Sequence, residues 1–369
     1  MRTSLGALFC LVSTQSLASA ATLTVTTTSD LGSGSLRDAI RRAQDGDTIV
    51  FAPGVMGTIT LDAVLEIRSS LTIAGPGASQ LAISGDGAFR VFDLNEGHSV
   101  SISGLTITRG QSVEGSALRN HGSALRLADD VFIDNEAGGQ YAAGGAIANY
   151  NRADLTITGC TFIGNRAMGK DGGGWARGGA IVNQRSSATI SGSVFIGNEA
   201  AGGAGGQNRY GGFGPGLGAG GAIDNIDGAS LTVLNCTFTD NHAAGGDRGD
   251  GGEHAALVGE GQGGALRNHD TSTLLLSGSW LSGNVATGGS STTASGPARL
   301  GTARGGAIFN HGSARVVNST FAGNEAVGGD GGMGSNATRE NGTAVGGAIL
   351  NSGAFDTCLL YTSPSPRDS

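Results

Sequence analysis

The sequence predicts an all-β chain wound as a parallel β-solenoid, and three observations carry that expectation. A six-residue phrase, Gly144-Gly-Ala-Ile-Ala-Asn149, returns at Gly178–Asn183, Gly220–Asn225, Gly263–Asn268, Gly305–Asn310 and Gly346–Asn351, after a worn copy at Gly115–Asn120. A second phrase, Phe-x-x-Asn, follows the first six copies at Phe132–Asn135, Phe162–Asn165, Phe195–Asn198, Phe238–Asn241, Leu281–Asn284 and Phe321–Asn324. The stretch spanning both phrases keeps a near-constant length, while a Gly-rich connector varies at one fixed place. A repeated supersecondary unit that lengthens at one corner only is a coil whose turns share a shape. At ~3.3 Å per residue, a unit of about 23 residues holds three short strands and their bends.

Aligning the units turns the repeats into columns. Leu118, Ile147, Ile181, Ile223, Leu266, Ile308 and Ile349 form one, Ile157, Ile190, Val233, Leu276 and Val316 a second, and the Phe residues a third. Neighbours within each unit alternate with small or polar residues, the period-2 mark of a strand with one buried face. Turns ~4.8 Å apart would set like side chains on like. Two Asn columns end strands: Asn149, Asn183, Asn225, Asn268, Asn310 and Asn351, and Asn135, Asn165, Asn198, Asn241, Asn284 and Asn324. Asn tolerates left-handed φ and bonds to its own backbone, so a structural amide ladder is the expected role.

From the start of the chain, residues 1–20 read as a secretory signal: Arg2, the apolar run Leu5–Val12 with a passive Cys10, and the small-residue cleavage site Ala18-Ser19-Ala20. No later stretch has the ~20 apolar residues of a membrane-spanning helix. Residues 21–70 form an N-terminal cap and first turns. Ser35–Gln44 is the one convincing helix, with Ser35 as cap, Asp38 three residues on and Leu36, Ala39, Ile40 and Ala43 as its apolar face. Such a helix covers the open end of a solenoid, where ladder groups and core would otherwise be bare. Residues 71–110 are regular turns, with strands at Leu71–Ala74, Leu81–Ser84, Arg90–Leu94, Val100–Ser103 and Leu105–Thr108 after Thr48–Phe51 and Thr58–Leu61. Residues 111–357 hold the insert-bearing repeats. Cys160 and Cys236 share a column with Ser193 between them. Two turns separate them by ~10 Å, beyond the ~7 Å Cα limit for a disulfide, so both are expected free and buried.

Gly34-Ser-Leu-Arg-Asp-Ala-Ile40, Gly46-Asp-Thr-Ile-Val-Phe51 and Val100-Ser-Ile-Ser-Gly-Leu-Thr-Ile107, followed by the two repeated phrases, carry a family resemblance over about residues 22–356. They resemble the bacterial right-handed parallel β-helix surface proteins that share repeats with the chlamydial polymorphic outer membrane proteins. Members often have Cys where this chain has Gly34. The resemblance implies a secreted or outer-membrane-displayed protein, often an adhesin-like or autotransporter passenger, with no defined catalytic residues. Residues 358–369 (Cys358-Leu-Leu-Tyr-Thr-Ser-Pro-Ser-Pro-Arg-Asp-Ser369) break composition and lack a β pattern. They look like a translated sequencing adapter, which would cut the natural chain near Asp356 and remove a C-terminal anchor or barrel.

The net charge of −8, with 14% charged residues, argues against nucleic acid or anionic membrane as a partner. A glycosidase needs paired carboxylates, and the regular strands carry few. Asp129-Asp130 is the nearest candidate pair and reads as a solvated turn, while Asp224, Asp227 and Asp240 stand isolated. Among the connector glycines, Asp171, Asp247, Asp250, Glu253 and Asp330 are weak Ca²⁺ candidates. They lack the recurring nonapeptide of a calcium β-roll, so no cofactor is assigned. Arg248-Gly-Asp250 matches an integrin-type tripeptide by composition. His121, His269 and His311 each follow a repeat Asn and read as exposed turn residues, too few for a metal. Trp175, Tyr210, Phe213 and Trp280 are scattered aromatics able to stack on a sugar or a protein.

Together these features predict a right-handed β-helix with an N-terminal capping helix and Gly-rich loops on one edge. Those loops would form a non-enzymatic adhesive face toward a host surface or extracellular polymer, because binding residues concentrate on loops of rigid scaffolds. The alternative is a carbohydrate-active enzyme, a polysaccharide lyase or glycoside hydrolase on the same fold, since fold alone does not settle function. A third is a spacer for a further C-terminal domain.

Overall fold

The computed structural model describes residues 20–205, 216–247, 258–290, 301–330 and 342–363, with the side chains of 358–363 excepted. One turn runs through Ile147–Tyr150, Asp154–Thr158, Thr161–Ile163, Arg166–Gly169 and Trp175–Arg177. Each strand pairs in parallel with its counterpart one turn on, as Ile147–Tyr150 does with Ile181–Gln184. Among the described residues, strands gather into four sheets of 19, 9, 7 and 6 members. The chain is a right-handed parallel β-helix.

Two sheets enclose the main core. The 19-stranded long sheet contributes two strands per turn, such as Asp154–Thr158 and Thr161–Ile163, and the nine-stranded core sheet contributes one, such as Ile147–Tyr150. Ile147, Leu155, Ile157 and Phe162 all point inward and are fully buried. Phe132, Phe162, Phe195 and Phe238 stack with ring centroids 4.7 Å apart and planes within 5°. That distance is the strand repeat itself, so backbone pairing sets the aromatic stacking.

Buried amides run alongside the apolar columns. Asn149, Asn183, Asn225, Asn268 and Asn310 each donate Nδ2 to the Oδ1 of the next member, ending on Asn351, at 2.6–2.8 Å. Asn135, Asn165, Asn198, Asn241 and Asn284 do the same toward Asn324 at 2.8–3.0 Å. Each also bonds to backbone at the bend, so no amide is left with an idle donor. Gly144 begins the motif at φ +61°, and a Cβ there would lie 2.0 Å from the Ile147 carbonyl oxygen. Only glycine fits that close bend.

The capping helix α1 spans Leu36–Arg42, with Ser35 Oγ accepting from Asp38 N and Leu36, Ala39 and Ile40 buried. Arg37 ties it to Asp30 and to the Val64 carbonyl, closing the first turn. A strand at Leu65–Ile67 lies where none was expected, because three residues are too few for alternation to register. Cys160 and Cys236 are free and buried, as expected from the column spacing. Residues 354–363 form one strand in register with Ser313–Ala322, so the backbone through Ser363 does not match the absence of β structure expected from residue 358 onward.

Three strands per unit become five. The additional pair comes from the flanks of the Gly-rich connectors, whose Gly and Ala runs show no alternation. The outer of these sheets includes Arg166–Gly169 and the inner one Trp175–Arg177. Together they stand off the main coil as a thin two-layered fin with an alanine core of Ala137, Ala142, Ala167, Ala176 and Ala200. Small residues are obligatory where the layers touch: a Cβ on Gly218 would lie 2.0 Å from the Ala244 carbonyl oxygen.

Candidate functional site

A groove lies in the angle between the inner fin sheet and the outer face of the core sheet. Two register rows face each other across it. The core sheet presents Asp93, Arg119, Ala148, Val182, Asp224 and Arg267. The fin presents Glu114, Ala143, Arg177, Ala219, Gln262 and Arg304. Ala143 packs on Ala148 and Val182, with Tyr150 against that cluster. Small residues in the middle of both rows leave a cavity of about 560 Å³.

Ion pairs close the two ends. At the N-terminal end Arg119 grips Asp93 with two hydrogen bonds of 2.9 and 2.7 Å and reaches Glu114 at 3.2 Å. Arg90 adds a 3.1 Å bond to Asp93 and caps the Glu114 and Gly115 carbonyls. Asp93 holds the Arg119 guanidinium above its usual pKa, while burial pulls Arg90 down. At the other end Arg267 binds Asp224 at 2.6 and 2.9 Å and donates to Gln262, with both charges buried. Gln262 in turn bonds Glu260, which also holds Arg304. A charge pair this deep persists because each guanidinium nitrogen has an acceptor.

Between those ends stands Arg177. Its guanidinium carbon lies 5.2 Å from the centroid of the Trp175 ring, a cation–π distance. Its Nε is buried without a hydrogen-bond partner, which is rare for a group with five donors. Tyr141 meets Trp175 edge to face at 5.9 Å, and both rings are exposed, at 61% and 41%. The Tyr150 hydroxyl is held far above its usual pKa, first by burial and then by the Glu114 charge, so it stays a proton donor. Beside it in register is His121, whose ring is bonded to the Asn151 amide. The cavity is thus a trough with an aromatic wall, an unpaired cation, a phenol, an imidazole and, among its described lining residues, the single carboxylate Glu114.

The residues singled out from sequence fare differently. Trp175 lies on this trough; Trp280 is 48% exposed on the long sheet, and Tyr210 and Phe213 lie outside the described residues. The expected solvated turn holds for Asp129, exposed at a left-handed φ of +55°, and not for Asp130, which is 1% exposed, accepts from Leu105 N, and has its pKa pushed by burial up to about 7. It sits in the bend column of the long sheet, away from the groove. Asp224 and Asp227, isolated within their own units, find partners on adjacent turns: Arg267 pairs with Asp224, and Asp227 accepts from Gln184. Asp171 and Asp247 each accept a backbone N–H from the next turn, of Ala204 and Ser290, and Asp330 N donates to Ser290. Those carboxylates alternate with Ala204 and Ser290 up the fin, about two strand spacings, or ~10 Å, apart. That is too far to share one Ca²⁺ at ~2.3–2.6 Å. Asp250, Glu253 and Arg248 lie outside the described residues. Arg177, Tyr141, Tyr150 and Glu114 were not singled out; their one signal was position, in or beside the motif that ends each connector.

Neither a protein-family model nor a curated relative matches this chain. Among solved structures it is similar to pectate lyase Pel9A, at TM-score 0.50 and 12% identity over 91% of this chain and 80% of that one. An alginate lyase from Paenibacillus matches at TM-score 0.35 and 15% identity, over 92% and 99%. Pectin methylesterase PemA from Erwinia chrysanthemi matches at 0.34 and 10%, over 92% and 89%. Identities this low establish the fold alone. The expectation of a non-enzymatic adhesive module is nonetheless corrected: the fold likeness is to a polysaccharide lyase, and the alternative of a carbohydrate-active enzyme is the better-supported one. The chain has the right-handed parallel β-helix architecture of pectate lyase Pel9A, with a groove of its own between core sheet and fin.

Proposed function

We propose that the chain is an exported enzyme that cleaves an anionic, uronate-containing polysaccharide by β-elimination in the groove between core sheet and fin. One observation carries the reading: Arg177, with its buried and unpartnered Nε, lies against an exposed Trp175–Tyr141 wall. Sugar rings stack on such aromatic faces, and the two terminal nitrogens of a guanidinium with no carboxylate of the chain paired to it bind a substrate carboxylate in two-point fashion. Elimination needs that carboxylate neutralised, the adjacent C5 proton removed and the O4 leaving group protonated.

Arg177 takes the first role. His121 accepts the C5 proton, the C4–O bond breaks as the C4–C5 double bond forms, and the Tyr150 hydroxyl gives its proton to the leaving oxygen. Proton transfer from His121 back to Tyr150, register neighbours on adjacent turns, resets the site. Two-carboxylate hydrolysis is the poorer fit, because Glu114 stands alone among the described lining residues and is tied to Arg119. Export, read from residues 1–20, is part of the same proposal, since polymers of this kind lie outside the cell.

The test is to incubate the purified protein with polygalacturonate, alginate and a neutral glucan, following the ultraviolet absorbance of unsaturated uronate ends. A rise on one of the uronate polymers, slowed roughly 10- to 100-fold in Arg177→Ala, is the expected result. Hydrolysis of the neutral glucan with no unsaturated product, or no action on any of the three, overturns the reading.

A further inference from the structure

We propose that His269, Asp270 and His311 form a binding site for one divalent transition-metal ion of the zinc type, independent of the chemistry in the groove. The two histidines occupy the same position on adjacent turns, immediately after Asn268 and Asn310 of the paired strands Leu266–Asn268 and Ile308–Asn310. Their rings lie face to face, with centroids 4.7 Å apart and planes 20° from parallel. Asp270 turns its carboxylate onto the same spot, Oδ1 lying 2.8 Å from His269 Nδ1. It reaches that position through a left-handed backbone, φ +58°, an uncommon conformation for a residue other than glycine.

One ligand atom from each residue falls within a set whose members are all within 4.8 Å of one another. Tetrahedral bonds of ~2.0–2.1 Å put ligand atoms about 3.3 Å apart. Rings stacked 4.7 Å apart hold their nitrogen lone pairs side by side, so both imidazoles must turn about χ1 and χ2 to aim at one ion, and partial exposure leaves room for it: the His269 and Asp270 side chains are 30% and 48% exposed. Burial and the Arg267 charge hold His269 below its usual pKa, which favours the neutral imidazole that a metal requires.

Two imidazoles and one carboxylate select against Ca²⁺ and Mg²⁺, which take oxygen ligands, and suit Zn²⁺ with its fourth position open to water. The ion would tie two consecutive turns at a corner where hydrogen bonding otherwise rests on Asn268 and Asn310. The two-histidine count drawn from sequence left out Asp270, which stands in the left-handed turn column of Asn151, Arg185 and Asp227, where residue type varies from turn to turn.

The experiment is calorimetric titration of Zn²⁺ into chelator-dialysed protein carrying no histidine tag, with Ca²⁺ as control, on the wild type and on His269→Ala/His311→Ala. One equivalent of Zn²⁺ bound per chain, no Ca²⁺ uptake, and affinity lowered roughly 10-fold or more in the variant support the site. No Zn²⁺ uptake by the wild type, or unchanged uptake in a variant that keeps its β-type circular dichroism, overturns it. Should the variant lose that spectrum, Co²⁺ added to the wild type decides: an intense tetrahedral visible spectrum supports the site, and the pale spectrum of aqueous Co²⁺ refutes it.

Discussion

Asn198→Ala is expected to destabilise the coil by about 2–6 kcal/mol, and the figure follows from counting what the amide holds. Its Oδ1 accepts from Asn165 N at 3.1 Å and from Asn165 Nδ2 at 3.0 Å. Its Nδ2 donates to the Phe162 carbonyl at 3.1 Å and to Asn241 Oδ1 at 2.9 Å. After truncation, Asn165 Nδ2 keeps the Phe132 carbonyl and Asn241 Oδ1 keeps the Asn198 backbone N–H. The Asn165 N–H and the Phe162 carbonyl lose their amide partner in a fully buried column. Each buried group left unpaired costs roughly 1–3 kcal/mol, which sets the range. Urea denaturation monitored by circular dichroism measures the loss, with hydrogen exchange at Asn165 and Asn198 reporting whether the opening is local. Asn351→Ala is the control: that residue is exposed at the last ladder position, so its loss should stay below about 1 kcal/mol. If Asn198→Ala matched Asn351→Ala, the ladder would be decoration and the argument from buried amides would fail.

Other expectations follow from the same geometry. Arg177→Ala should lower kcat/KM on a uronate polymer roughly 10- to 100-fold, the value of a charge-assisted hydrogen bond, and Trp175→Ala should act mainly on KM. Asp130→Ser should stabilise the fold, because Ser193, Ser279 and Ser319 fill the same column and accept the same backbone N–H without a second oxygen; Asp130 Oδ2 has no partner. The Asp130 carboxyl is raised to about 7 from 3.8 in the fold, so its stabilising neutral form is complete below pH 3.8 and is lost as pH rises through about 7. The gain from Asp130→Ser should therefore be near zero at pH 4 and reach at most about 4 kcal/mol at pH 8, read as the difference between paired urea melts. Burial pushes the Cys160 thiol up to about 12, so maleimide labelling of Cys160 at pH 8, read by peptide mapping, should require denaturant; rapid labelling of that residue in the folded protein would contradict the burial.

The fold was legible because a solenoid is a nearly one-dimensional object. Each turn touches only its neighbours, so Gly144–Asn149 recurring at fixed spacing states the contact map directly: Ile147 on Ile181, Asn149 on Asn183. The capping helix was legible too, since Ser35, Asp38 and the apolar face of Leu36, Ala39 and Ile40 act within a few residues of one another. The fin was not, because strands built of Gly and Ala bury backbone against backbone and leave no hydrophobic alternation to read.

The candidate site was still less accessible from sequence. Glu114, Tyr150 and Arg177 belong to different repeats, and where the sequence repeats, they are the residues that depart from it. Register stacking and the angle between fin and core sheet bring them to one trough. The sequence by itself determined the coil, its columns and its amide ladders, because those depend on neighbours one turn away and recur in every turn. Only the tertiary structure decided that Arg177 stands unpaired beside Trp175 while Arg119 and Arg267 are neutralised. Whether a charge finds a partner depends on which turns are stacked and how the fin folds back, and no single repeat carries that information.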